Sequence, residues 1–322
     1  MTRRSFLLAA TALASHLMPR PAAAAWPDHT IRLIVGFAPG GTADIMARQL
    51  QAPLAARLGQ AVVVENHPGA SGMTATSEVA RAGADGATFL LAVSTHASLA
   101  AINRKLPYDV EKDFAPVIFI GSIPLVLLID PRLAIRSLPE LIAAAKEKPG
   151  ALSYGFPGIG LSHHFAGELL KQRAGVDITA VSYRGTAPAL NDVIAGQVSM
   201  TFGTLPAVMG AIKGGLVRPL AITAPARAEG LPDVPTVAES GYPDFDVSEW
   251  FGVIAPAATS TAVVRRLNAE IEAVLSEPGP KEWLRQNNVV RGPSTPEAFR
   301  ARIAAEIANL TKVADKAGIA IE

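Results

Sequence analysis

Six short turns carry the residues on which chemistry could rest. They are Ala38-Pro39-Gly40-Gly41-Thr42-Ala43-Asp44, Pro68-Gly69-Ala70-Ser71-Gly72, Ser94-Thr95-His96, Phe156-Pro157-Gly158-Ile159-Gly160-Leu161-Ser162, Tyr183-Arg184-Gly185-Thr186-Ala187 and Phe202-Gly203-Thr204. Each follows an apolar run and precedes a segment of helical spacing. A helix start presents unpaired N–H groups and a partial positive charge, and glycine lets a ligand approach the backbone closely. Such turns at the carboxyl ends of strands suit an anion. Ser71, Thr95, Ser162 and Thr204 would add neutral hydroxyl donors. Any one of these turns also reads as an ordinary strand-to-helix connection; it is the repetition in both halves of the chain that points to a ligand. Asp44 reads equally as a loop-orienting or ligand-bonding group and as an acid favoured in a first helical turn.

Signatures of other chemistries fail residue by residue. Gly158-x-Gly160 lacks the third glycine of a dinucleotide fingerprint, because position 163 is His163. No phosphate-loop Gly-Lys-Ser/Thr is present, and Gly69-Ala70-Ser71-Gly72 falls short of a nucleophile elbow at Met73. His163 and His164 are adjacent, so on a helix they diverge and suit a metal poorly. His96 lies near Ser94 without an evident carboxylate partner. No catalytic residue, cofactor or metal is assigned. The total absence of cysteine removes disulfide frameworks, thiolate zinc sites and cysteine nucleophiles.

The elements that position these turns alternate along the chain. Strand candidates are Ile31–Phe37, Val62–Val64, Phe89–Val93, Val117–Ile120, Leu125–Ile129, Leu152–Phe156, Thr179–Tyr183, Val198–Phe202, Leu220–Thr223 and Phe251–Ala255. Helical stretches include a segment capped at Thr42 and stopped by Gly59, with Pro53 predicting a kink, and Leu138–Lys146, Ser162–Ala174 and Ala187–Ala195. This is an α/β pattern with parallel-type sheets covered by helices on both faces. Breaks near Pro124 and in the Pro/Gly/acid segment 231–248 suggest an inserted lobe. The division is 26–123 with 248–322 as lobe 1 and 124–247 as lobe 2.

Residues 1–25 read as an address. Arg3 and Arg4 precede the short apolar stretch Phe6–Met18, and Ala23-Ala24-Ala25 fits a cleavage site before Trp26. Arg3-Arg4-Ser5-Phe6-Leu7 also resembles a twin-arginine signal, so both the Sec and the twin-arginine route stay open. The whole chain, 322 residues at net charge +1, gives no case for nucleic acid. Removing the leader takes away three arginines and no acid, leaving a mildly acidic chain.

The motifs together resemble the Bug-type family, the receptors of tripartite tricarboxylate transporters. The resemblance rests on Trp26-Pro27 with Ile31–Val35, Phe37–Gly41 with Asp44 and Arg48, and Leu58-Gly59-Gln60 running into Val64–Ala70. It continues through Asp85–Leu90, Tyr183–Ala189, Gly196-Gln197-Val198 and Leu231–Gly241. It implies a type II periplasmic-binding-protein fold with two lobes, a ligand cleft and two crossover segments. It also implies a small mono-, di- or tricarboxylate or aromatic acid, held by amides, hydroxyls and water without an arginine clamp. The contacts carried over are Phe37, Pro39, Gly40, Gly41, Thr42, Ala70, Ser71, Gly72, Ser94, Thr95 and His96 in the first lobe. In the second they are Gly158, Gly160, Ser162, His163, Tyr183, Gly185, Thr186, Ala187 and Thr204, and Asp44 joins the set as a candidate. His67 stands where the family commonly has arginine, Ser71 replaces a common glycine, and Ala258 and Thr261 replace a usual Gly and Pro. The function implied is capture by lobe closure in the periplasm and delivery to a membrane permease. Alternatives are a ligand sensor feeding a kinase and a periplasmic enzyme using His96 or His163 as general base.

Overall fold

The structure, a computed structural model, describes residues 26–103 and 105–317; the leader assigned to residues 1–25 lies outside the described residues. The order of elements is β1 (Ile31–Val35), α1 (Thr42–Leu58), β2 (Val62–Asn66), α2 (Met73–Ala80), β3 (Thr88–Val93), α3 (Thr95–Ile102), β4 (Phe114–Ile129) and α4 (Leu138–Glu147). Next come β5 (Ser153–Phe156), α5 (Ser162–Ala174), β6 (Thr179–Ser182), α6 (Thr186–Ala195), β7 (Met200–Thr204), α7 (Leu205–Lys213) and β8 (Arg218–Ile222). The chain closes with β9 (Ser248–Pro256), α8 (Thr261–Ser276), α9 (Pro278–Gln286) and α10 (Pro296–Ala317). No helix among the described residues is long and apolar enough to cross a membrane.

Two lobes follow from how the strands pair. β1 lies parallel to β2 and β3, and β9 joins them antiparallel beside β3. In the second lobe β5 lies parallel to β6 and β7. β4 links the two. Phe114 to Pro124 pair antiparallel with Pro256 to Ser248 of β9, and Leu125 to Ile129 pair antiparallel with β7 and β8. The sheets are therefore parallel within β2-β1-β3 and β6-β5-β7 and antiparallel where β4, β8 and β9 join them, which amends the parallel reading of the sequence.

Side-chain alternation explains why both faces need helices. Leu33 and Val35 of β1 pack with Met46 and Leu50 of α1, whereas Ile34 turns to the opposite face with Val79 of α2 and Phe299 of α10. Leu125, Leu127 and Ile129 of β4 pack against α4 and α5; Val126 and Leu128 pack on the other face with Val193 and Val208. Both faces are buried at the inner strands, so β3 and β4 read as nearly continuous apolar runs with no polar side.

Two local expectations change, at Thr42 and at Pro124. Gly41, in extended conformation, is the N-cap of α1 and Thr42 is the first helical residue, so the threonine hydroxyl is free for other partners. α1 continues through Pro53 and ends at Gly59 in the left-handed region. Pro124 sits inside β4 and not in a turn. The sequence separates Val117–Ile120 from Leu125–Ile129 because Gly121 and Pro124 interrupt the pattern. The structure absorbs the irregularity as register shifts at Pro116/Ile118 and Phe119/Gly121.

Candidate functional site

All six turns lie between a strand end and a helix start. The N-termini of α1, α2, α3, α5, α6 and α7 have no side-chain cap hydrogen bond. Three other helices do: Ser137 accepts from the Glu140 N–H at α4, Ser260 from the Val263 N–H at α8, and Thr295 from the Ala298 N–H at α10, while α9 also lacks one. A side-chain cap ordinarily contributes about 1 kcal/mol. Its absence at the turns leaves amides available to another acceptor.

Phe37, Ala70, Ser71, Gly72, Gly158 and Tyr183 line a cavity of about 320 Å³ between the lobes, with Ile159 and Arg184 at its edge. Next to it, Phe37, Gly41, Thr42, Leu161, Thr186 and Glu249 enclose a small void of about 10 Å³. The loops meet across the boundary. The Thr42 and Thr204 hydroxyls are hydrogen bonded, and the Ser98 hydroxyl donates to the Gly160 carbonyl at 2.5 Å. A Cβ on Gly185 would lie 3.2 Å from the Ala38 methyl, and one on Gly158 would lie 2.9 Å from the Ser71 hydroxyl. The arrangement is closed, and glycine is what permits the approach at Gly158.

The second turn is bent most sharply. Gly69, Ala70, Ser71 and Gly72 all have positive φ, at 156°, 46°, 56° and 91°. Two consecutive non-glycine residues in the left-handed region cost about 1 kcal/mol or more each. Such strain persists where the surroundings hold it, and it clusters at ligand-gripping loops. Asp44 bonds its own loop and its own helix. It accepts from the Gly40 N–H at 3.0 Å and from Arg48 Nε at 3.0 Å. Burial opposes its ionisation, but those bonds outweigh it and hold the carboxyl below its ordinary range.

Other candidates are placed differently. Pro39 and Gly40 are on the exposed rim and Ala187 is half-buried beside them. The Tyr183 hydroxyl donates to Asp192 at 2.7 Å, so its ring lines the cavity while its polar end is engaged. Thr95 is buried near Gly72. Ser94, Gly160 and Ser162 line a separate cavity, behind β9. His96 is buried in the core, its ring edge-on to Phe114 at 5.0 Å, with neither nitrogen hydrogen bonded. Burial pushes its pKa down to about 4. His163 is 1% exposed, has no hydrogen-bond partner, and is pushed down to about 3 by burial. His67, expected to alter surface charge, joins an ionic cluster: it lies 2.5 Å from Glu78, and Arg32 bonds both Glu65 and Glu78.

Glu249 escapes the sequence reading. It faces the void between the starts of α1 and α6, 5% exposed, with His163 Nδ1 3.7 Å away. Burial raises its pKa to about 8, so it is protonated at neutral pH and can donate a hydrogen bond. The available signal was an acid opening an otherwise apolar strand, Ser248-Glu249-Trp250-Phe251, but placing the strand start at Phe251 left it outside.

The comparisons agree with this geometry. A family model described as "Tripartite tricarboxylate transporter family receptor" matches residues 46–315. Protein BugT of Bordetella pertussis is 38% identical over 296 residues, covering 91% of this chain and 90% of that protein. Among solved structures, Rpa4515 of R. palustris with adipate superposes at TM-score 0.88 with 39% identity, covering 92% of this chain and 99% of that one. MatC from Rhodopseudomonas palustris with bound malate gives 0.84 with 32% identity, covering 89% and 99%. With its two α/β lobes, paired crossovers and uncapped helix starts at the cleft, the chain belongs to the tripartite tricarboxylate transporter receptor family.

Proposed function

We propose that this chain is an exported receptor that closes around a small carboxylate and hands it to a membrane permease. One observation carries the reading: the starts of α1, α6 and α7, none with a side-chain cap, meet across the lobe boundary at Thr42, Thr186 and Thr204. The acid would occupy the adjoining 320 Å³ cavity and present one carboxylate to the helix starts at this small void, where charge–dipole contacts strengthen away from water. Protonated Glu249 supplies a further donor at the floor. Adipate and malate in two structural neighbours support a dicarboxylate of four to six carbons. The moving bodies are 26–123 with 248–322 and 124–247, a division supported by the change of β4 partner beyond Pro124. Neither buried histidine lines the 320 Å³ cavity, and burial holds both neutral, which favours binding over catalysis.

The test is calorimetric titration of residues 26–322 with malate, adipate and other linear dicarboxylates, with mass spectrometry of the recovered acid. We expect one acid to bind 1:1 at micromolar or tighter affinity and to return unchanged. Thr42→Val and Thr204→Val should each weaken binding about tenfold. Consumption of the acid, or no binding across the panel, would overturn the reading.

A further inference from the structure

β9 carries one acid to the place where the two lobes meet. Glu249 pairs with Ile123 of β4, beside Pro124 and Ser248, where β4 leaves β9 for the strands of the second lobe. It is 5% exposed and lines the small void walled by Gly41 and Thr42 of the first lobe and by Leu161 and Thr186 of the second. Phe37 and Pro157 line both this void and the 320 Å³ cavity, so the two spaces adjoin. The void measures about 10 Å³, room for a single water-sized group. One carboxylate oxygen reaching in from the cavity would fill it.

No cation answers this carboxyl. Among the described residues, the one basic nitrogen within 4 Å is His163 Nδ1, at 3.7 Å, which is beyond hydrogen-bond reach. His163 is itself buried with both nitrogens unpaired, and burial holds it neutral. The other titratable groups on the surrounding elements are engaged or face elsewhere. Asp44 of α1 bonds Gly40 and Arg48, Glu78 of α2 bonds Arg32, and Asp192 of α6 accepts from Tyr183. β3 and β4 carry no charged side chain. His164 and Glu168 of α5 and Glu306 of α10 line the separate cavity behind β9. An ionised carboxylate without cation or donor is strongly disfavoured, so Glu249 keeps its proton up to about pH 8. Its O–H is left without a committed acceptor, at the edge of a space that adjoins the ligand cavity.

We infer that Glu249 fixes the protonation state in which the receptor takes its acid: its O–H donates to one carboxylate oxygen of the ligand, so that a dianionic acid is bound together with one proton. Glu249 has this role only if the cleft takes a carboxylate, as proposed. A carboxylic acid facing a carboxylate forms a charge-assisted O–H···O⁻ bond, one of the strong kinds. Two carboxylates in the same place repel. Capture therefore weakens as pH rises, although every other contact of the cleft is intact. A proton drawn from solvent on binding becomes the Glu249 O–H, and no other bond is made or broken at that residue.

The test is calorimetric titration of residues 26–322 with adipate and with malate at pH 7, 8.5 and 9. Each titration is repeated in two buffers of different ionisation heat, which counts the protons that accompany binding. Both acids are fully ionised above about pH 7, so a proton taken up goes to the protein. We expect Kd to rise about tenfold from pH 7 to 9, and binding at pH 8.5 to absorb about one half to one proton. Glu249→Gln keeps an N–H donor. It should bind within about threefold of the wild type at pH 7, absorb no proton, and bind several-fold tighter than the wild type at pH 9. Glu249→Leu, of similar size and without a donor, should bind about tenfold or more weakly at pH 7. The wild-type proton count stands without either variant. No proton uptake at pH 8.5, uptake that survives Glu249→Gln, or a Gln variant that binds no tighter than the Leu variant would overturn the role of Glu249 and leave a carboxylate receptor standing. Failure of both acids to bind at every pH would overturn the receptor reading, and this role with it.

Discussion

A carboxyl that keeps its proton at neutral pH sets the acid–base behaviour of the whole cleft. Glu249 is raised to about 8 and Glu306 to about 7, both by burial. The folded chain therefore holds protons that the unfolded chain releases above about pH 4.5, and their contribution to stability falls as pH rises through that window. His96 and His163, lowered to about 4 and 3 by burial, act the other way. Below about pH 6.5 the unfolded chain takes up protons that the folded chain refuses, so stability falls on acidification. The two effects oppose one another between about pH 4.5 and 6.5, and only the acids act above it. Denaturant unfolding of the ligand-free protein should show stability declining from pH 6.5 to 8. Glu249→Gln should flatten most of that decline and add up to about 3 kcal/mol at pH 7.5. A variant with the wild-type slope would place the protonated group elsewhere. None of this is legible before the fold is known. A desolvated acid differs from a solvated one only by what packs on it, and Glu249 lies far along the chain from both Thr42 and Thr186.

The middle of β9 is a place where an element tolerates no added atom. A Cβ at Gly252 would sit 2.3 Å from the Phe299 ring of α10 and 2.8 Å from the Ile118 carbonyl. One of those neighbours is backbone and the other is wedged against Trp250 at 5.4 Å. Gly252→Ala should destabilise by about 3 kcal/mol, at the upper end of overpacking costs, with Tm as the readout. Capping gives a milder case. Ser260→Ala should cost about 1 kcal/mol at α8, whereas replacing Thr204 at the start of α7 should change ligand affinity more than stability. The helix starts and most strands were legible because apolar runs ending in glycine or Ser/Thr turns leave few other local structures. The long β4 was not, because Pro116, Gly121 and Pro124 look like breaks until β9 provides an antiparallel partner that accommodates register shifts. The separation of Ser94, Gly160 and Ser162 from the other site residues was hidden for a related reason: which face of β9 a loop meets depends on strand order, not on the loop's own composition.

For the molecule as a whole, closure and stability are one equilibrium. A ligand that binds only the closed fold stabilises it by mass action, about 2.7 kcal/mol at a hundredfold excess over Kd. For a chain of this size that corresponds to a rise in Tm of about 4 °C, and X-ray scattering should show a smaller radius of gyration in the same sample. A thermal shift without compaction would mean that the acid binds one lobe only. The two-lobed architecture was readable from the alternation of elements and from motifs spread across the chain. The closed contacts between Thr42 and Thr204, and between Ser98 and Gly160, were not, since each joins residues that are neighbours only after both lobes have formed.

The crossover strand also gives the molecule an optical reporter of its own. Trp250 is one of three tryptophans, is 2% exposed, follows Glu249 in sequence, and donates its indole N–H to Glu306. Its emission therefore reports the charge on Glu306 behind the strand and any shift of the strand around Glu249 in front. An unlabelled sample in a fluorimeter can follow events on either side of β9, with Trp250→Phe as the control that leaves only the emission of Trp26 and Trp283.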